Sequence, residues 1–122
     1  MTKPIRTALI GAGYIADWHA EALKMTPGAE LTAVCDLSEG AAKALAQAHG
    51  AKAFTDLNEM LASNICDAVH ILTPPDSHAA LAKICLEAGV HCLIEKPVAL
   101  SVEDTKSIQE AADKAGKKKL LA

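Results

Sequence analysis

Apolar runs of strand length alternate with helical patterns along the whole chain, and this order limits the possible folds more than any other feature. Apolar strands joined by helices are typical of a parallel sheet that helices cover on both faces. Right-handed crossovers in two such halves predict a doubly wound sheet with strand order 3-2-1-4-5-6. The predicted strands are 5–10, 31–35, 52–54, 68–72, 91–94 and 118–122, and the predicted helices are 15–25, 39–49, 57–62, 76–88 and 102–115.

Residues at the predicted helix ends support these boundaries. Gly50 follows the second helix where a left-handed cap is favoured, and Asp56 and Ser101 precede later helices as N-caps. In the first helix, the helical period predicts one buried face. This face consists of Ile15, Trp18, His19, Ala22 and Leu23.

Length and composition bound the remaining possibilities. A chain of 122 residues without a low-complexity linker predicts one domain over residues 1–122. The net charge of -3 and the scattered Lys and Arg residues argue against a nucleic-acid partner. No apolar run reaches the roughly 18 to 20 residues that a membrane span needs, and no signal-peptide pattern is seen. We therefore expect a cytoplasmic protein without a membrane partner.

Four cysteines lie singly in apolar segments, without the spacing of a zinc site. We expect them to be reduced core residues and predict no metal. They are Cys35, Cys66, Cys85 and Cys92.

The pattern Gly11-x-Gly13-x-x-Ala16 lies between the first predicted strand and helix. Gly11 would permit a tight turn, and Gly13 would let the phosphates of a dinucleotide approach the helix N-terminus. The pattern alone is weak, but Asp36 ends the second strand twenty residues after Ala16. Its carboxylate can accept hydrogen bonds from both hydroxyls of an adenosine ribose. The sequence therefore predicts the dinucleotide-binding Rossmann form of the sheet.

Asp36 also favours NAD over NADP. Its charge would repel a ribose 2′-phosphate, and the next residues, Leu37 and Ser38, bring no Arg to compensate. We predict NAD as the cofactor, with NADP as the weaker alternative.

Three motifs together carry a resemblance to a known family: GAGYIADWHAEAL at 11–23, TPPDSHA at 73–79 and EKP at 95–97. In order and spacing the chain resembles the N-terminal domain of the Gfo/Idh/MocA oxidoreductases, the glucose-fructose oxidoreductase and inositol dehydrogenase family. The resemblance implies an NAD(P)-dependent dehydrogenase that transfers a hydride between a sugar or cyclitol and nicotinamide. It also implies a homo-oligomeric parent protein.

The resemblance further implies roles for five residues near the carboxyl ends of the strands. Thr73 and Pro74 would line the cofactor's path, and His78 would lie near the nicotinamide end. Glu95 and Lys96 would contact the nicotinamide ribose and the reacting hydroxyl, and the Lys96 ammonium is the catalytic candidate. The predicted cofactor-binding residues are Gly11, Gly13, Tyr14, Ile15, Asp36, Thr73, Pro74, His78, Glu95 and Lys96.

The other histidines carry weaker expectations. For His19 we expect a hydrogen-bonded packing role, and the sequence identifies no role for His49, His70 or His91.

The family continues into a substrate domain, whereas this sequence ends within the predicted sixth strand. We therefore expect a fragment or domain excerpt that binds cofactor without turnover. The alternative is a stand-alone nucleotide-binding or redox-sensing module without catalysis.

Overall fold

Strands and helices follow one another almost as the sequence predicts. The computed structural model describes residues 3–116 and the backbone of residues 120 and 121. The strands are β1 (Ile5–Ile10), β2 (Ala29–Cys35), β3 (Lys52–Phe54), β4 (Ala68–Ile71), β5 (His91–Ile94) and β6 (Leu120–Leu121). The helices are α1 (Tyr14–Lys24), α2 (Glu39–His49), α3 (Leu57–Ala62), α4 (His78–Glu87) and α5 (Val102–Lys114), with a 3₁₀ turn at Pro75–Ser77.

The strands form one parallel sheet in the order β3-β2-β1-β4-β5-β6. This confirms the predicted doubly wound topology, in which the strand order reverses between β1 and β4. Of the predicted strand 118–122, residues 118, 119 and 122 lie outside the described part of the chain.

Helices bury apolar side chains on both faces of the sheet. On one face, Met60 of α3, Leu86 of α4 and Ile108 of α5 belong to the larger core. On the other face, α1 packs Ala16, Ala20 and Leu23 in a smaller cluster. Strands covered on both sides are mainly apolar, which is why the apolar runs were informative.

The cap predictions are confirmed. The Asp56 carboxylate accepts hydrogen bonds from two N–H groups in the first turn of α3, and the Ser101 hydroxyl accepts one from Asp104. Gly50 ends α2 at a φ of 69°, the left-handed region that glycine tolerates.

The predicted buried face of α1 is wrong at two positions: Trp18 is 71% exposed, and Ala22 is exposed as well. The small side chains of Ala16 and Ala20 face the sheet instead and allow the helix to approach closely. Because Trp18 lies between them along the helix, it points to a different side.

Several boundaries differ by one or two residues. β2 begins at Ala29 rather than Leu31, β4 ends at Ile71, and α1 begins at Tyr14. The helix predicted from Asp76 opens as the 3₁₀ turn, a common form of helix N-terminus, before α4 begins at His78.

Candidate functional site

Gly11 is required by the chain's own backbone. It follows β1 with a φ of +103°, and a Cβ there would lie 3.1 Å from the carbonyl carbon of Leu72 and 3.2 Å from the nitrogen of Thr73. Its N–H donates to the carbonyl of Cys35 at 2.8 Å. Gly11 therefore allows the turn after β1 to pass directly against the chain leaving β4.

Gly13 serves a different purpose. It precedes α1 with an ordinary φ of -75°, and a Cβ built on it would meet no protein atom within 4 Å. Packing alone does not demand a glycine here. The missing side chain leaves space before the first turn of α1, begun by Tyr14 and Ile15, where free N–H groups and the helix dipole favour an anion. Helix N-termini of this kind favour phosphate groups.

The Asp36 carboxylate lies beside the same turn. One oxygen accepts a hydrogen bond from the Ala12 N–H at 2.7 Å, and the other accepts from the Ser38 N–H at 2.8 Å. Each oxygen of a carboxylate can accept two hydrogen bonds, so both retain capacity for ribose hydroxyls. The residue thus fixes the glycine turn and offers acceptors at its edge.

A cavity of about 380 Å³ opens at the carboxyl ends of β1 to β4. This position, at the reversal of strand order, is where doubly wound sheets bind ligands. The sequence-predicted residues that it brings together are Gly11, Asp36, Thr73 and Pro74.

Hydrogen bonds hold the loop after β4 in place. The Ser77 hydroxyl donates to the carbonyl of Pro74 at 2.8 Å and lies 2.6 Å from the Thr73 hydroxyl oxygen. Because Ser77 has one hydroxyl hydrogen, Thr73 donates to Ser77. The cavity wall is therefore stabilised by its own side chains.

His78 lies buried at the start of α4, between the loops that follow β4 and β5. It is only 1% exposed, with Nδ1 2.8 Å from the Pro97 carbonyl oxygen and Nε2 2.7 Å from the Thr73 carbonyl oxygen. Both ring nitrogens thus face backbone carbonyl oxygens, which can only accept a hydrogen bond from a ring N–H. His78 links the loop after β4 to the loop after β5 and offers no free ring nitrogen to a nicotinamide.

Glu95 and Lys96 follow β5, on the other side of β1 and β4 from Asp36. The Glu95 N–H bonds the Ile71 carbonyl at 3.0 Å, which aligns the ends of β4 and β5. Lys96 is exposed, and no carboxylate among the described residues pairs with it. Its charge is free to meet a ligand.

The structure also shows a contact that the sequence analysis missed. His19 of α1 lies against His70 of β4 and against Glu95. Strand alternation could have revealed this contact. Val69 and Ile71 of β4 belong to the larger core, so His70 between them points to the α1 face of the sheet.

The four cysteines are free and buried, as predicted. Burial raises the pKa of the Cys35 and Cys66 thiols to about 11, so neither is a ready nucleophile. Among residues 3–116, no group of three or more His, Cys, Asp or Glu side chains is arranged to hold a metal ion. No helix in the described part of the chain could cross a membrane.

Comparison with known proteins gives consistent matches. Residues 5–121 match the Gfo/Idh/MocA family model, described as an oxidoreductase family with an NAD-binding Rossmann fold. A D-glucoside 3-dehydrogenase from Escherichia coli is 37% identical over 118 residues, 95% of this chain and 34% of the relative. The scyllo-inositol 2-dehydrogenase (NADP(+)) from Bacillus subtilis is 38% identical over 113 residues, 92% of this chain and 34% of the relative.

A solved structure matches as well. The WlbA dehydrogenase from Chromobacterium violaceum, in complex with NADH and UDP-GlcNAcA, superposes with a TM-score of 0.93 at 40% identity. The match covers 100% of this chain and 36% of that one. The chain thus spans about a third of the length of the relatives it matches. Its sequence, its sheet order and its glycine turn agree: the chain belongs to the Gfo/Idh/MocA oxidoreductase family and is an NAD-binding Rossmann domain.

Proposed function

We propose that this chain is the cofactor-binding part of an NAD-dependent dehydrogenase that acts on a hydroxyl group of a sugar or cyclitol. The observation that carries the proposal is the Asp36 carboxylate, fixed by the Ala12 N–H beside the glycine turn and at the edge of the cavity. This arrangement suits an adenosine ribose beside Asp36 and a pyrophosphate at Gly13. The named dehydrogenase relatives support the substrate class.

The proposal favours NAD over NADP. The residues after Asp36 are Leu37 and Ser38, and neither can neutralise a 2′-phosphate. A relative named for NADP(+) shows that the family includes both cofactors, so the preference rests on this chain's own residues.

Lys96 is proposed as the catalytic residue. Bound NAD supplies the hydride acceptor. In oxidation the substrate carbon would transfer a hydride to NAD while the hydroxyl would transfer its proton to a base in another part of the longer protein, so negative charge would develop on the oxygen. The exposed ammonium of Lys96 after β5 could stabilise that charge, and in reduction it could polarise the carbonyl.

We further propose that the chain acts within a longer homo-oligomeric protein of the cytoplasm, and that other parts of that protein complete the substrate pocket. The chain's coverage of about a third of its relatives supports the longer protein, and the family resemblance is the basis for the oligomeric state.

A substitution in the complete enzyme tests the role of Lys96. Lys96→Met should lower kcat roughly 100-fold, about 3 kcal/mol in the barrier, with a much smaller change in NAD affinity. Steady-state kinetics and NAD titration measure the two effects separately. Lys83→Met, an exposed lysine on α4, is the matched control and should keep normal kcat. A Lys96→Met enzyme with near-normal kcat at saturating substrate would remove Lys96 from the mechanism.

The alternative is a nucleotide-binding or redox-sensing module without catalysis. Buried thiols with raised pKa values, such as Cys35 and Cys66, do not favour thiol-based sensing. The isolated chain should bind NAD without oxidising sugars. Robust sugar oxidation by these residues alone would contradict the proposal that the site needs a further part.

A further inference from the structure

Three titratable side chains from separate elements meet on the α1 face of the sheet. The Nδ1 atoms of His19 and His70 are 2.9 Å apart, and His19 Nε2 lies 3.3 Å from Glu95 Oε2. The two rings meet edge to face, with centroids 5.1 Å apart. His19 therefore stands between His70 and Glu95 with both of its ring nitrogens in use.

The contacts determine where the protons lie when both histidines are neutral. A carboxylate only accepts, so His19 carries its hydrogen on Nε2 and donates to Glu95. Its Nδ1 is then an acceptor, and His70 must donate from its own Nδ1. The tautomer of each ring is set by the hydrogen bond that its neighbour needs.

His70 is suited to remain neutral in this arrangement. Burial, and then the neighbouring His19, lower the pKa of His70 to about 4. His70 is thus a neutral donor near pH 7, and His19 can direct its Nε2 hydrogen to the carboxylate.

The position of Glu95 relates this cluster to the cofactor. Asp36 lies after β2 on one side of β1, whereas Glu95 lies after β5 on the other side of β4. Dinucleotides cross a doubly wound sheet from one half to the other. With adenosine beside Asp36, the second ribose lies toward Glu95.

We propose that His19 and His70 are positioning residues that hold the Glu95 carboxylate toward the nicotinamide ribose. This inference rests on the proposed function. The Glu95 side chain is 33% exposed and that of His19 is 20% exposed, so the contact is partly shielded from water. A carboxylate held in advance loses less freedom when the ribose hydroxyls bind.

Two ligands separate positioning from general structural damage. NADH has the nicotinamide ribose, and ADP lacks it. His19→Leu should weaken NADH binding roughly 3- to 10-fold, the loss expected for one hydrogen bond, and leave ADP binding unchanged. His19→Gln, whose amide can donate from near the Nε2 position, should stay within about twofold of the parent chain for both ligands. Fluorescence titration measures NADH, and calorimetry measures ADP.

Two further variants test whether Glu95 is the partner of His19 and control for the replacement of a histidine by leucine. In a Glu95→Gln background, adding His19→Leu should cause little further loss of NADH affinity, because the positioned carboxylate is already gone. His49→Leu removes a histidine that contacts Asp17 at the far side of α1, and should bind NADH normally.

The outcomes are distinguishable. If the parent chain binds neither ligand, the proposed function fails, and this inference fails with it. If the parent chain binds NADH and His19→Leu either binds it equally well or loses affinity for ADP and NADH equally, only the positioning role is overturned.

Nitrogen-15 NMR of the unsubstituted chain at about pH 7.5 tests the inference without any substitution. It should find His19 protonated at Nε2 and His70 at Nδ1, and the reverse tautomers would contradict the inference.

Discussion

Gly11 and Gly13 stand two positions apart, yet different forces demand them. A side chain at Gly11 would combine an unfavourable φ with contacts of 3.1 to 3.3 Å to the backbone at Leu72 and Thr73. A side chain at Gly13 would meet open space at an ordinary φ. The first glycine is required for folding, whereas we propose that the second leaves room for a ligand.

This difference predicts the behaviour of Gly13→Val. The variant should fold, with a helix-rich circular dichroism spectrum, because a Cβ at this position meets no protein atom within 4 Å. It should lose detectable NAD binding in calorimetry, because the isopropyl group occupies the proposed pyrophosphate position.

Gly40→Val is the matched control, since a Cβ at Gly40 in α2 likewise meets nothing within 4 Å. That variant should bind NAD normally. Normal NAD binding by Gly13→Val would disprove the phosphate-turn role of Gly13.

At the scale of elements, side-chain contacts join units that lie far apart in the chain. His19 and His70 connect α1 to β4, and His78 connects the loop after β4 to Pro97. Arg6 of β1 donates to the Asp67 carboxylate just before β4. The histidine contacts lie toward the edge of the sheet where the site is found, whereas Arg6 and Asp67 meet at the opposite edge, where β1 and β4 begin.

The buried position of His70 predicts a pH dependence of stability. The folded-state pKa of His70, about 4, lies below its ordinary value of 6.5, so the unfolded chain binds this proton more readily. The contribution of His70 to stability is complete above about pH 6.5 and is lost as the pH falls toward about 4. Because the ring is partly exposed, we expect a loss of about 1 to 2 kcal/mol.

Urea unfolding at about pH 7.5 and about pH 4.5 measures this loss, and His70→Leu should show a smaller decrease than the parent chain. Asp67 interferes little, because hydrogen bonds from Arg6 lower its pKa to about 2 and its contribution fades only at lower pH. Equal decreases in the free energy of unfolding of both proteins would show that protonation of His70 does not destabilise the folded chain.

For the whole molecule, local signals were sufficient to predict most of the fold. The bounds of β3, α2 and α3 agree with the sequence, since glycine and N-cap residues flank them. The sheet order followed from the handedness of the crossovers. The glycine and N-cap signals depend on residues close in sequence, and the crossover handedness depends on the chirality shared by all parallel β-α-β units.

Side-chain environments were harder to predict, because they depend on residues distant in sequence. The exposure of Trp18 depends on the close approach of α1 to the sheet. The engagement of His78 depends on a carbonyl nineteen residues further along the chain. The glycine turn and Asp36 could be placed together because the fold itself brings the ends of β1 and β2 to one edge.

Calorimetric titration of the chain and its Asp36→Ala variant with NAD and NADP tests the central claim most directly. The chain should bind one NAD and bind NADP more weakly. Asp36→Ala should lose about 1 to 3 kcal/mol of NAD binding free energy and narrow the preference over NADP, because a charged acceptor is removed from the ribose. A folded Asp36→Ala variant with unchanged NAD affinity, or a parent chain that prefers NADP, would contradict the account.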